Sequence, residues 1–407
     1  MKRVVVTGMG AITPVGLDVP AFWENTVAGR HGIAPITRFD TTGSKFTLAA
    51  EVKDFDPFER LDRNIARKTD RFTQFALCAA EEAMNDSGLL GHVDLTRLGV
   101  YFGSGIGGFE TFCEEHQAML EKGARRVTPA FISKMIANIG AGNIAIRYHA
   151  TGPCMSVATA CATGTTAIGE AYRAIAHGYA DAMICGGSEA AITPLAVAGF
   201  GNCLALSASA DPDAASLPFD KRRAGFIMGE GAGALILEEY EHAAARGAKI
   251  YAEVSGYGST CDAHHVTAPD PEATAIVRAI QDALGNADVP ADKIYMNAHG
   301  TGTALNDTTE TTALKKVFGD AAYALHISST KAVTGHMLGA AGAVEAIAAS
   351  LALRDNLVPP TANLHEPDEA CDLNYTPLEA AHTPLELAMS ESLGFGGHNA
   401  CVAFKRV

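Results

Sequence analysis

The chain has 407 residues, 48% of them hydrophobic and only 19% charged, with 41 glycines; these proportions describe a large core joined by tight turns and exclude a disordered chain. A formal charge of -15 at pH 7 argues against nucleic acid as the main partner, because duplex binding needs clustered Lys and Arg to displace counterions.

The opening "MKRVVVTGMG" passes from two basic residues into a β-branched run. It lacks the long apolar stretch and small-residue cleavage site of a signal peptide, so a cytoplasmic protein is expected. Strands are predicted at 3–7, 98–103, 180–186, 233–239, 250–256, 294–298, 325–329 and 400–405, and helices over 72–86 and 162–178. Such alternation predicts an α/β protein whose sheets are covered on both faces. From Met337 to Leu353, "MLGAAGAVEAIAASLAL" imitates a membrane span. It falls short of about 20 residues and is built from Ala and Gly, so a buried helix is predicted and no membrane contact. Its one charge, Glu345, needs a partner to be buried, and Lys331 and His336 are the natural candidates.

The two ends of the chain echo one another. "VVVTGMGAITPVG" near the start is similar to "AEVSGYGSTCDAH" from 252, and "LGVYFGSGIGG" from 98 to "KIYMNAHGTGT" from 293. The helix after Cys161 pairs in the same way with the Ala-rich helix after His336. Three echoes in the same order predict a duplication.

Nine cysteines occur without any C-x-x-C pair, which predicts free thiols in a reducing compartment. Most free cysteines are small buried hydrophobes. Cys161 differs, because strand-like "SVATA" leads directly into helical "CATGTTAIGEAYRAIA". A thiol at that position is predicted to be exposed and ionised by the helix N-terminus, whose N–H groups would also hold an oxyanion.

His299 in "NAHGTGTALND" and His336 in "STKAVTGHMLGAAGAVEA" each follow a strand and lie beside Gly. Singly, each is the kind of histidine found hydrogen-bonded in a core. Together with Cys161 they predict one cleft. Separations of 138 and 37 residues match no compact zinc pattern, so no metal is expected; a Cys-His protease pair would carry a local signature absent here. "GSGIGG" satisfies G-x-G-x-x-G at Gly103, Gly105 and Gly108, yet the following residues read as helix then loop. A dinucleotide site would instead need a second strand ending in an acid. Near the C-terminus, "ESLGFGGHNA" is a Gly-rich turn carrying Phe395, placed to gate a site and offer a further N–H.

The ordered set "TAC", "NAHGTGT", "SSTKAVTGHMLGAAGAVEA" and "GFGG", with "PFDKRRAGFIMGEGAG" between them, resembles the β-ketoacyl-[acyl carrier protein] synthases of the thiolase-like superfamily. The resemblance implies a duplicated five-layer α-β-α-β-α fold, with halves at 1–250 and 251–407, assembled as a homodimer. It implies acyl transfer to Cys161, activation of malonyl-carrier protein by His299 and His336, support of His336 by Lys331 and Glu345, and gating by Phe395. Thr301, Thr303 and Thr267 match positions that bind the phosphopantetheine arm, which arrives on the carrier, so no resident cofactor is implied. Ile106 and Phe200 match positions lining the acyl pocket. Asp307 and Glu310 match acids kept near the first histidine, although helix capping is the plain reading of Asp307.

The same resemblance assigns carrier docking to Arg63, Arg67, Lys68, Arg125 and Arg126, residues that otherwise read as a solvated helix face. Two positions depart from the family pattern: Leu204 stands where a basic residue is frequent, and Glu391 where Asn is common. A polyketide ketosynthase would share this chemistry. A non-catalytic chain-length factor would lack the cysteine. Thiolases depend on a second cysteine, and initiating synthases commonly pair Cys with His and Asn.

Overall fold

The computed structural model describes residues 1–407. In the first half lie strands β1 (Val4–Ile12), β2 (Leu98–Gly103), β3 (Cys154–Met155), β4 (Ala182–Glu189) and β5 (Gly231–Glu239). The second half contributes β6 (Ala252–Cys261), β7 (Ile294–Asn297), β8 (His326–Ser328), β9 (Leu387–Gly394) and β10 (His398–Lys405). Their spatial order is β3-β2-β4-β5-β1-β6-β10-β9-β7-β8. Taken outward from the middle, the two halves have the same order, each strand matched by the one five labels later.

Strand directions repeat too. β2 runs parallel to β3 and β4, as β7 does to β8 and β9, while β4–β5, β5–β1, β9–β10 and β10–β6 are antiparallel. The halves join through a short antiparallel ladder of Val4–Val6 with Ala252–Val254. Helix α1 (Arg71–Ser87) covers the outer face of β1, β5 and β4. Helices α2 (Thr163–Ala176) and α5 (Ala341–Asp355) pack on one another and touch strands of both halves. Helix α3 (Thr274–Leu284) covers β6 and β10, with α4 (Ala304–Phe318) against it. The result is the five-layer α-β-α-β-α arrangement.

Paired glycines explain the close approach of the outer helices. A Cβ on Gly8 or Gly10 of β1 would lie 2.2 Å from the Ala83 carbonyl oxygen and 2.0 Å from that of Ala79. The counterparts Gly256 and Gly258 of β6 would each meet a carbonyl oxygen, of Ala283 and Ala279, at 1.9 Å. Only glycine allows backbone to meet backbone so closely. The "GMG" and "GYG" echo in the sequence records this duplicated contact.

Helix α5 is buried on every side from Ala341 to Leu353, which is why its sequence lacks a polar face. No helix is long and apolar enough to cross a membrane. The Gly-rich C-terminal turn begins later than the sequence suggests, because Leu387–Gly394 is an interior strand carrying buried Ser390, Glu391 and Ser392. Polar residues on a covered strand conceal the pattern by which strands are recognised.

Candidate active site

Cys161 occupies a 3-10 turn, Ala160–Ala162, immediately before α2. Ala160 adopts a left-handed φ of 49°, a strained conformation for alanine, and the bond from Thr159 N–H to Thr163 Oγ1 at 2.9 Å holds the turn. Contrary to the sequence expectation, the thiol is buried rather than exposed, and that burial works against its ionisation. It is 8% exposed, set among Ile192, Val197, Leu206, Phe226 and Met228. Burial pushes it up to about 12, against the lowering influence of Lys331 and of the Phe395 and Cys161 N–H groups. Desolvation outweighs the helix terminus here.

His299 follows β7 in a turn whose N–H groups are gathered by acids of α4. Glu310 accepts from His299 N–H at 2.5 Å and Gly300 N–H at 2.8 Å. Asp307 accepts from Gly302 N–H at 3.2 Å and Phe219 N–H at 2.8 Å. Gly300, at φ +36°, would press a Cβ to 2.6 Å from that of Ser329. His336 follows the helical turn Lys331–Thr334 and is fixed by its N–H to Ile227 O at 2.7 Å. The two imidazoles are 5.4 Å apart and nearly perpendicular at 85°, and the Phe226 ring stands 5.0 Å from His336.

Burial and the Lys331 charge hold both imidazoles well below the ordinary histidine value, with the His299 ring lowered further by His336. Both are therefore neutral near pH 7. In each, Nδ1 is buried without a partner, leaving Nε2 to face the cavity. Lys331 Nζ meets Glu345 Oε1 at 2.5 Å; His336 makes no bond to Glu345, so of the two candidate partners only the lysine is used.

A cavity of about 320 Å³ joins these groups. Cys161, His299, His336, Phe395, Thr301, Thr303 and Thr267 all line it. Thr301 and Thr303 hydroxyls lie 3.0 Å apart. Ile106 and Phe200 do not line this space; they belong to the apolar cluster around Cys161, where Phe200 stands 5.7 Å from Phe226 and 6.4 Å from Phe395. Gly394 brings the Phe395 loop against the thiol turn, and a Cβ there would lie 2.5 Å from Thr159 O and 3.3 Å from Cys161 N.

The basic residues lie outside the cavity. Arg63, Arg67 and Lys68 on the short helix Arg63–Lys68, with Arg125 and Arg126 in a 3-10 turn, are exposed and have no carboxylate within ion-pairing distance. Leu204 is 89% exposed at a left-handed φ of 57°, on the cavity rim with Leu305.

Sequence reasoning missed Glu189. At the end of β4 it accepts from Ser104 Oγ at 2.8 Å and from the N–H groups of Gly105, Ile106 and Gly339 at 2.9, 3.2 and 3.0 Å. The N–H groups of the G-x-G-x-x-G turn thus enclose the chain's own carboxylate and leave no cradle for a pyrophosphate. The signal available was a lone acid closing an apolar strand, in "MICGGSEA".

A duplicated five-layer fold that sets one thiol against two neutral imidazoles defines a condensing acyltransferase of the thiolase-like class. Comparison with known proteins is specific: residues 1–243 match the β-ketoacyl synthase N-terminal domain and 251–365 the C-terminal domain. The chain belongs to the β-ketoacyl synthase family. It is 50% identical over 408 residues to 3-oxoacyl-[acyl-carrier-protein] synthase 2 of Synechocystis sp., covering 100% of this chain and 98% of the relative. A β-ketoacyl synthase from Burkholderia phymatum superposes with a TM-score of 0.92 at 38% identity, covering 100% of both chains. A ketosynthase described in complex with its type II polyketide acyl-carrier protein, bound to the hexaketide, gives 0.91 at 35% identity, covering 100% of this chain and 99% of that one.

Proposed function

We propose that the chain elongates fatty acyl groups carried by acyl carrier protein, using Cys161 as nucleophile and His299 and His336 as hydrogen-bond donors. The observation that carries this reading is the single cavity lined by all three side chains. In the first step Sγ bonds to the acyl carbonyl carbon, the bond to the carrier sulfur breaks, and the thiol proton ends on the departing carrier thiol. The tetrahedral oxyanion rests on the N–H groups of Cys161 and Phe395, the two that reach Sγ.

Malonyl-carrier protein then enters along Thr267, Thr301 and Thr303, which would hold its phosphopantetheine arm. The Nε2–H groups of neutral His299 and His336 donate to the malonyl thioester oxygen. Loss of carbon dioxide leaves its electron pair as an enolate under those two donors, so no strong base has to remove a C–H proton. The enolate carbon attacks the acyl-Cys161 carbonyl, the C–S bond breaks, and a 3-oxoacyl product longer by two carbons departs while Sγ regains a proton. Phe395, half-buried against Phe200, swings to admit malonyl after acylation.

The carrier is acidic by this reading, so an enzyme of charge -15 needs local positive charge. The unpaired Arg63, Arg67, Lys68, Arg125 and Arg126 supply it. Support for a homodimer comes from the exposed edge strand β3, with Met155 41% exposed and Ile146 and Ile132 at 73% and 58% on nearby helices. Nine unpaired thiols suit the reducing cytoplasm.

Intact-protein mass spectrometry with acyl-carrier substrates of several lengths tests the reading. Each acyl mass should appear on Cys161 and disappear when malonyl-carrier protein is added. Acylation at another residue, or none, would remove Cys161 from its role.

A further inference from the structure

The segment "PFDKRRAGFIMGEGAG" sets Phe226 against His336 and, three residues earlier, buries an arginine that no step of the proposed reaction uses. Lys221 and Arg222 pair with Glu366 and Asp220 near the surface. Arg223 turns inward, and its side chain is 5% exposed. A guanidinium taken so far out of water needs fixed partners for its donors.

Those partners are of two kinds. Nη1 donates to Asp368 Oδ2 at 2.5 Å and to the Asp220 carbonyl at 3.0 Å, which anchors the head group. The other donors reach across to the loop before α4: Nε to the Thr303 carbonyl at 3.3 Å and Nη2 to the Ala304 carbonyl at 3.4 Å. Asp307 of α4 lies 3.8 Å from Nε and accepts from Gly302 N–H. Two residues after Arg223, Gly225 N–H donates to the Gly302 carbonyl at 3.0 Å. Three successive carbonyls, of Gly302, Thr303 and Ala304, are thus held by one short segment. Neither Arg223 nor Gly225 lines the cavity, whereas Thr301 and Thr303 do.

Thr303 is the N-cap residue of α4, with extended φ and ψ of -100° and 146°, yet its hydroxyl makes no capping bond. A threonine in that place ordinarily makes one. The hydroxyl instead meets Thr301 Oγ1 at 3.0 Å, on the wall shared with Cys161 and His299. Two paired hydroxyls use one O–H between them and leave the other O–H and free lone pairs for a ligand. An amide, with one N–H and one C=O, matches that offer.

We propose that Arg223 is a positioning residue for the phosphopantetheine arm: anchored by Asp368, its guanidinium holds the Thr303 and Ala304 carbonyls and so presents the uncapped Thr303 hydroxyl, beside that of Thr301, to an amide of the arm. The inference rests on the reading of the two threonines given above. Lysine is no substitute, because a single ammonium lacks the planar fork that spans two carbonyls and a carboxylate.

The test compares two thioesters of one acyl group, octanoyl-pantetheine, which carries the amides of the arm, and S-ethyl octanethioate, which carries none. Acylation of Cys161 is followed by intact-protein mass. Arg223→Lys should raise the octanoyl-pantetheine concentration for half-maximal acylation about tenfold, while the maximal rate and the rate with S-ethyl octanethioate each change by less than about twofold. Asp368→Asn keeps the arginine but loosens its anchor, and should raise the same concentration about threefold. Thr303→Val should raise it as Arg223→Lys does. In the double variant Arg223→Lys with Thr303→Val the two effects should not add, because both act through one hydroxyl.

Equal losses on both thioesters in Arg223→Lys and Asp368→Asn would reduce the pair to a structural role and overturn the inference, as would additive effects in the double variant. A Thr303→Val effect without any Arg223→Lys effect would overturn it and leave the arm reading standing. Octanoyl-pantetheine acylation unchanged in Thr303→Val would remove that threonine from the arm's path, defeating the reading under the proposed function and the inference with it.

Discussion

Lys331 Nζ lies 2.5 Å from Glu345 Oε1, with the two side chains 1% and 3% exposed, so a lysine whose charge reaches both cavity imidazoles is tied to the buried acid of the central helix. Removing one partner of such a buried pair strands the other and costs about 3–5 kcal/mol. Lys331→Met should therefore lower Tm sharply, and Lys331→Met with Glu345→Gln should recover most of it. Decarboxylation should stay impaired in the double variant, because the positive charge beside the imidazoles is gone. Thermal melts and malonyl-carrier turnover on the same samples check both halves.

Burial pushes the Cys161 thiol from 9.0 to about 12. Alkylation of the free enzyme by iodoacetamide should keep rising through pH 9 without a plateau. Rates measured from about pH 7 to about pH 10, with the modified site mapped, test this; a plateau near neutral pH would show an ionised sulfur.

Both cavity imidazoles are held below the ordinary histidine value of 6.5, so as pH falls the unfolded chain binds protons that the folded chain refuses. The stability tied to these groups is present above 6.5 and is lost as pH drops below it. His299→Gln and His336→Gln should each lessen the fall in Tm between about pH 7 and about pH 5. Activity should likewise show no histidine-like decline between about pH 8 and about pH 6.5.

Glu189 satisfies one hydroxyl and three N–H groups from both halves of the chain. Glu189→Ala orphans all four donors and should destabilise by about 3–5 kcal/mol, read as loss of Tm. Glu189→Gln, which accepts through one oxygen only, should fall between.

Charge reversal at the exposed Arg67 and Lys68 should weaken carrier binding about threefold to tenfold at low salt and flatten its salt dependence. Titration of carrier protein at two ionic strengths measures it, and unchanged affinity would place the docking surface elsewhere.

The sequence made the frame legible where local pattern and tertiary role coincide. The "GMG" and "GYG" pairs mark the same backbone contact twice, and the Cys161, His299 and His336 motifs do meet. It was silent where solvation decides. Helix position alone suggested an ionised Cys161, whereas surrounding side chains from distant segments remove the water that a thiolate needs. Glu189 reads as an ordinary acid, and although Glu310 and Glu391 stand out by resemblance, only folding shows that the first receives backbone donors and the second receives none. Ile106 and Phe200 pack in the apolar cluster that holds Cys161 and not on the cavity shared with the histidines, a division of space that only packing reveals.

The mirrored strand order gives the thiol to one inherited copy and both imidazoles to the other. Neither copy owns the reaction chamber. Residues of both halves wall that space, so a single copy could enclose it only by associating with a second.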